Sequence, residues 1–108
     1  MRILKFNVDK QLIERDPNCD FGGLVPGTKA YLKVQFSFSQ EWDGFVKIAT
    51  FWSVMGREFP PQILKDGKTC IIPAEALENR HFGIRVIGKK EKQRLVTNTE
   101  YVCMSGRR

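Results

Sequence analysis

The chain is 108 residues long, 42% hydrophobic and 28% charged, with eight Phe, two Trp and two Tyr. That length suits one domain and that composition suits a globule with a single core, so intrinsic disorder is excluded. No run of about 18 apolar residues is present, which excludes a spanning helix, and a net charge of +6 favours acidic partners.

The first residues, Met1-Arg2-Ile3-Leu4-Lys5-Phe6, alternate polar and apolar and contain no signal-peptide apolar block. Leu4, Phe6 and Val8 turn inward on a first strand, with Lys5, Asn7 and Asp9 outward. Asp16–Gly27 holds two Pro and three Gly and reads as a long loop. Strict alternation over Ala30–Ser39 predicts a half-buried strand, with Ala30, Leu32, Val34, Phe36 and Phe38 facing the core. Trp42-Asp43-Gly44 marks a turn. Phe45–Trp52, apolar on both faces, reads as a central strand covered on each side.

Gly56 and Pro60-Pro61 confine any strand at Arg57–Phe59 to a short or edge position. Lys65-Asp66-Gly67-Lys68 reads as a hairpin turn leading into a strand at Thr69–Ile72. Pro73-Ala74-Glu75-Ala76-Leu77-Glu78 permits one or two helical turns, and Asn79 suits their end. Strands resume at Phe82–Ile87, Arg94–Thr97 and Glu100–Met104. Seven or eight short strands with turn signals near every ten residues predict a β-sandwich. One domain is expected over residues 1–104, with a frayed tail at Ser105–Arg108.

The positive charge is uneven. Arg80, Arg85, Lys89, Lys90, Lys92 and Arg94 lie close in sequence with Glu91 as the single acid among them. These six are the candidate partner-binding residues, although such a run also reads as a solvated turn between strands. Cations interleaved with aromatic rings can stack bases. Here Phe36, Phe38 and Trp52 fall where the core is expected, and Phe82 is the one aromatic in the basic run. Contact with nucleic acid is therefore expected to be weak and salt-sensitive.

Cys19, Cys70 and Cys103 are odd in number and far apart, which suits reduced thiols acting as small buried hydrophobes. With His81 they complete a three-Cys, one-His zinc set on paper, but no Cys-x-x-Cys knuckle is present. His81, beside Arg80, is the single histidine. No Gly-x-Ser-x-Gly or His-Glu-x-x-His occurs, and Gly22-Gly23 lacks the Lys-Ser/Thr of a phosphate loop. Glu41 and Asp43, flanking Trp42, read as turn carboxylates. No catalytic residue, cofactor or metal is expected.

One resemblance spans nearly the whole chain. Phe36-Ser37-Phe38-Ser39-Gln40-Glu41-Trp42-Asp43-Gly44, followed by Lys47-Ile48-Ala49-Thr50-Phe51, resembles a signature of small proteins from phages and prophages of clostridia-like bacteria. Leu64–Leu77, Phe82–Gly88 and Arg94–Asn98 continue it, as do Leu4-Lys5-Phe6 and Asp16–Phe21. The pattern is similar to the immunoglobulin-like domain of phage baseplate upper proteins, which are longer and carry further segments. The resemblance implies an immunoglobulin-like sandwich with no catalytic residues. It implies a protein-binding role at the phage tail or baseplate, in the bacterial host cytoplasm during phage production or in the virion. The partner is then a tail component, met through sheet edges or through the end loops Asp16–Gly27 and Ser53–Pro61, or further copies of the chain.

Two other functions fit the same residues. A small phage-encoded inhibitor of a host defence nuclease, in the manner of anti-CRISPR proteins, needs no catalytic machinery and can use a basic face. A nucleic-acid-binding module would use the Arg80–Arg94 stretch. Membrane association is not expected.

Overall fold

The computed structural model describes residues 1–104, so the tail expected at Ser105–Arg108 lies outside the described residues. The chain opens with β1 (Arg2–Asp9), turns at Lys10–Gln11 and returns as β2 (Leu12–Arg15). Strand β3 (Leu32–Phe38) then runs parallel to β1 with seven residue pairs in register, from Arg2 opposite Leu32 to Val8 opposite Phe38. After β4 (Val46–Trp52) and β5 (Gln62–Ile63) come β6 (Thr69–Ile71) and β7 (His81–Lys90). The last strands are β8 (Gln93–Val96) and β9 (Glu100–Cys103). One sheet has the order β2-β1-β3-β6; the other is β5-β4-β7-β8, with β9 also paired to β7. The protein is an all-β sandwich.

The core is the sum of the inward faces. Leu4, Phe6 and Val8 of β1 and Leu32, Val34 and Phe36 of β3 meet Ala49 and Phe51 of β4 and Phe82, Ile84 and Val86 of β7. Burial of this kind stabilises by about 25 cal/mol for each Å² of apolar surface removed from water. Trp42 closes one end. It is fully buried, its indole N–H donates to Lys10 O at 2.7 Å, and its ring packs on Phe38 and Phe45. Inward-facing Gly88 lies beneath it: a Cβ there would sit 2.7 Å from Trp42 Cζ3 and 3.2 Å from Phe45 Cδ2. Leu77, in a short 3-10 turn at Ala74–Leu77, is also fully buried.

The two sides of the sandwich close differently. Ile87 pairs with Val96 and Ile84 with Glu100, so three residues of the β8–β9 path oppose two of β7. That is a one-residue bulge. Thr97 Oγ1 accepts the Val86 N–H within it, and Asn98 swings across to β2, where its Oδ1 accepts from Ile13 N at 2.7 Å. On the opposite side the chain crosses from β5 in one sheet to β6 in the other. Asp66 directs this crossing by accepting the Lys68 and Thr69 amide N–H groups and the Thr69 hydroxyl.

Some expectations from sequence are corrected and others refined. Lys65–Lys68 is a crossover rather than a hairpin, because Asp66 binds the amides that a hairpin ladder would use. Ala30 is exposed at φ 56° and precedes β3, so it does not face the core. Arg57–Phe59 is limited, as expected, to a short pairing: Glu58 makes an isolated bridge to Trp52, and the edge strand follows at Gln62–Ile63. Asp16–Gly27 is a loop, as expected, and it is docked against β1. Asp16 N donates to Lys5 O, Cys19 Sγ accepts from Lys5 N, and Phe21 packs edge-on against Phe6. Strand β2, with one buried side chain in four, carries too little periodicity to be read from sequence.

Two outcomes are expected from this packing. Gly88→Ala forces Trp42 and Phe45 aside and lowers unfolding free energy by about 1–3 kcal/mol in urea titrations. The Asp66 carboxyl is held well below its ordinary range, chiefly by the Thr69 hydroxyl and then by the Lys68 and Thr69 amides. Its contribution is present above the ordinary carboxylate pKa of about 4 and is lost as pH falls below it. Asp66→Asn therefore has a lower urea midpoint at pH near 7 and a shallower decline into acid than the parent.

Candidate functional site

The outer faces of the two sheets differ in chemistry. On the β2-β1-β3-β6 sheet the outward residues are Lys5, Asn7, Lys33, Gln35 and Ser37, with Ile3, Leu12 and Ile71 as its apolar members. Across the other sheet, alternation along β4 turns Val46, Ile48, Thr50 and Trp52 outward, and their register partners on β7 are Lys89, Ile87, Arg85 and Gly83. Ile63 of β5, Arg94 and Val96 of β8 and Tyr101 of β9 extend this face. Val46, Ile63 and Tyr101 are 57%, 58% and 50% exposed. This is an open apolar surface bordered by cations.

Trp52 and Arg85 organise its centre. The Trp52 indole N–H donates to Thr50 Oγ1 at 3.1 Å, and that hydroxyl donates to Arg85 O at 3.3 Å. The Arg85 guanidinium lies 4.9 Å from the centre of the Trp52 ring, a cation–π stack. Together they bury Thr50. Arg85 Nε is buried without a hydrogen-bond partner, and no carboxylate pairs with Arg85 among the described residues. Tyr101 lies over Gly83, where an added Cβ would come within 2.9 Å of its ring and 2.7 Å of Thr99 Cγ2. Glycine is what lets the tyrosine lie flat.

Two expectations fail here. Trp52 is on the outer face and not in the core, because its position in β4 has the parity of Val46 and not of Phe51. Strand β4 is accordingly covered on one face only. Its outward apolar residues, which suggested a second covering layer, form the open surface instead.

The six basic residues do not act as one cluster. Arg85, Lys89 and Arg94 share the outer face. Lys90 points the other way, its Nζ 5.6 Å from the centre of the Phe45 ring, and Lys92 sits in the β7–β8 turn. Arg80 stands at the far end of β7 beside the Ser53–Phe59 segment. Phe82 is fully buried. Sequence proximity missed Trp52, Tyr101, Val46 and Ile63, which pairing across strands brings to Arg85. The signal available was the apolar residue at alternate positions 46, 48 and 52 without a second sheet to cover them.

The cysteines and histidine are also dispersed. Cys19 lies in the loop after β2, against the β1 edge, and Cys70 on β6, whereas Cys103 faces His81 across the β7–β9 ladder. No group of three His, Cys, Asp or Glu side chains is placed to hold a metal among the described residues. Cys70 packs against the core as expected, but Cys103 is exposed, since it has outward parity on β9. Glu41, at the turn before Trp42, accepts from its own amide and from the Ser39 hydroxyl, which lowers its pKa. Asp43 enters that turn through its backbone N–H, which donates to Gln40 O.

With this geometry established, comparison of the chain with known protein families, curated proteins and solved structures finds no match. No helix among the described residues is long and apolar enough to cross a membrane.

The thiols differ enough to be tested. Burial pushes the Cys70 pKa up to about 12, with the Asp66 charge adding to the shift, so the thiol stays protonated at neutral pH. Iodoacetamide at pH near 8 is expected to label Cys103 in the folded protein and Cys70 only after denaturation, as read by peptide mass spectrometry.

Proposed function

We propose that the chain is a non-enzymatic, phage-encoded protein-binding module whose docking surface is the outer face of the β5-β4-β7 sheet. The single observation that carries this is the Arg85–Trp52 stack. A guanidinium over an indole ring, with no carboxylate partner among the described residues, sits among open apolar side chains. Tyr, Trp and Arg in such settings are the side chains that anchor interfaces. Val46, Ile63 and Tyr101 supply apolar contact, and Lys89 and Arg94 supply a cationic border suited to an acidic partner. The phage origin and the tail or baseplate setting rest on the resemblance through Phe36–Phe51 and Leu64–Leu77. A tail component is the partner that this resemblance favours, and a host defence nuclease is the other class with a compatible acidic surface.

The position of Trp52 also favours a second function. An aromatic ring and three cations on one sheet face provide elements of a single-stranded nucleic-acid platform. Against that, the exposed face of Trp52 is occupied by Arg85, and one face of Tyr101 lies on Gly83, so little open ring is left for bases.

The experiment compares the parent chain with Tyr101→Asp, Arg94→Glu and the turn variant Lys92→Glu. In capture from prophage-induced cells, Tyr101→Asp and Arg94→Glu are expected to lose the partner that the parent and Lys92→Glu retain. Equal capture by all four overturns this docking face. Fluorescence anisotropy with a labelled 20-mer of dT separates the rival: binding that falls steeply with salt and is abolished by Arg94→Glu favours nucleic acid. Co-purification with virions against inhibition of a nuclease in a cleavage assay decides between the two protein partners.

A further inference from the structure

At the end of the sandwich opposite Trp42's strand turn, the segment after β4 and the start of β7 enclose a cleft of about 410 Å³. Its apolar lining is Val54, Met55 and Phe59, and its polar lining includes Arg57, Arg80 and His81. No carboxylate lines it among the described residues. The volume lies within the range of small-ligand sites, which pair an apolar wall with a few convergent polar groups.

The walls are built rather than loose. Ser53 N donates to Arg57 O at 2.8 Å, and Ser53 Oγ accepts from both Met55 N and Arg57 N. This closes a tight turn that holds Met55 90% exposed, with Gly56 at φ 90°. The Arg57 guanidinium lies 5.5 Å from the centre of the Phe59 ring, which fixes its direction. Arg80 is pinned by its backbone, because Arg80 O accepts from Met104 N at 2.6 Å. Neither arginine has an ion-pair partner among the described residues. An exposed methionine and a valine at the rim, with two guanidinium groups that have no carboxylate partner among the described residues, define an amphipathic, anion-seeking site.

We infer that this cleft binds a carboxylate carried on a compact apolar group. The carboxylate pairs with Arg57 and Arg80, and the apolar group lies against Met55, Val54 and Phe59. Guanidinium–carboxylate pairs are the stronger, geometrically specific hydrogen bonds, and a flexible methionine adapts to the shape of the apolar group. A free organic acid and the carboxylate of a peptide end offer the same chemistry. The site shares no residue with the docking face, so either can fail without the other.

The test is a titration of the isotope-labelled full chain, followed by amide chemical shifts. The probes are 3-phenylpropionate, its uncharged amide, and N-acetyl-Leu-Phe with a free terminal carboxylate. Both acids are expected to give saturable shifts at millimolar concentration confined to residues 53–59 and 79–81, with the amide at least about tenfold weaker. Arg57→Gln and Arg80→Gln each weaken the acids by about tenfold or more, and Met55→Ser weakens them less. Tighter binding of the dipeptide marks a chain end as the source, and tighter binding of phenylpropionate marks a free acid. Equal affinity of acid and amide, absence of saturable shifts, or unchanged affinity in both arginine variants overturns the inference. The acid–amide comparison needs no variant to fold.

Discussion

The contact between Trp42 and Gly88 is the constraint from which most of the architecture follows. The indole fills the space a side chain at position 88 would occupy, and its N–H reaches Lys10 O in the first hairpin turn. One side chain thus touches β7 of one sheet and ties down the turn between β1 and β2 of the other. Lys10 tolerates φ 56° because both its N–H and its C=O are held there, by Ser39 Oγ and by Trp42. A ring of this size buries more apolar surface than any other side chain at that end, which makes separation of the sheets costly there.

With one end closed by Trp42, the remaining requirements are the two sides. Asn98 and the Thr97 bulge stitch β2 to the β8–β9 path, while Asp66 turns the chain from β5 to β6. Both devices satisfy backbone groups that an open sandwich would leave at its rims. The outcome is asymmetry of kind: one sheet presents lysines, amides and serine with Ile3, Leu12 and Ile71 among them, and the other presents isoleucine, valine, tryptophan and tyrosine among arginines. Nothing in the internal packing needs that second face to be apolar.

The sandwich was legible because inward parity in β1, β3 and β7 is carried by Phe, Leu, Ile and Val in strict alternation. Gly88 and Gly83 show what was not legible. Gly83 is required by Tyr101 on the paired strand and Gly88 by Trp42 in the turn before β4, and such contacts are non-local properties that local periodicity does not report. The same limit hid the docking face: Arg85 is 33 residues from Trp52 in sequence and stacked on it in space. Parity alone also misled at Phe45–Trp52, where apolar residues on both faces signify two buried layers in one protein and one core plus one exposed surface in another. Asp66 is a turn residue but not a hairpin residue, since its side chain and not its dipeptide motif decides where the chain goes.

The dependence of a whole sheet on β7 has a kinetic consequence. Strands β4, β8 and β9 all pair with it, so during synthesis β4 emerges and waits with nothing but the two-residue β5 to pair with. Contacts spanning such long stretches of chain close slowly, and an unpaired apolar strand is the species most prone to associate with its own kind. The first sheet, by contrast, can assemble as soon as β6 leaves the ribosome. The interval between the emergence of β4 and that of β7 thus sets how long β4 stands without its main partner.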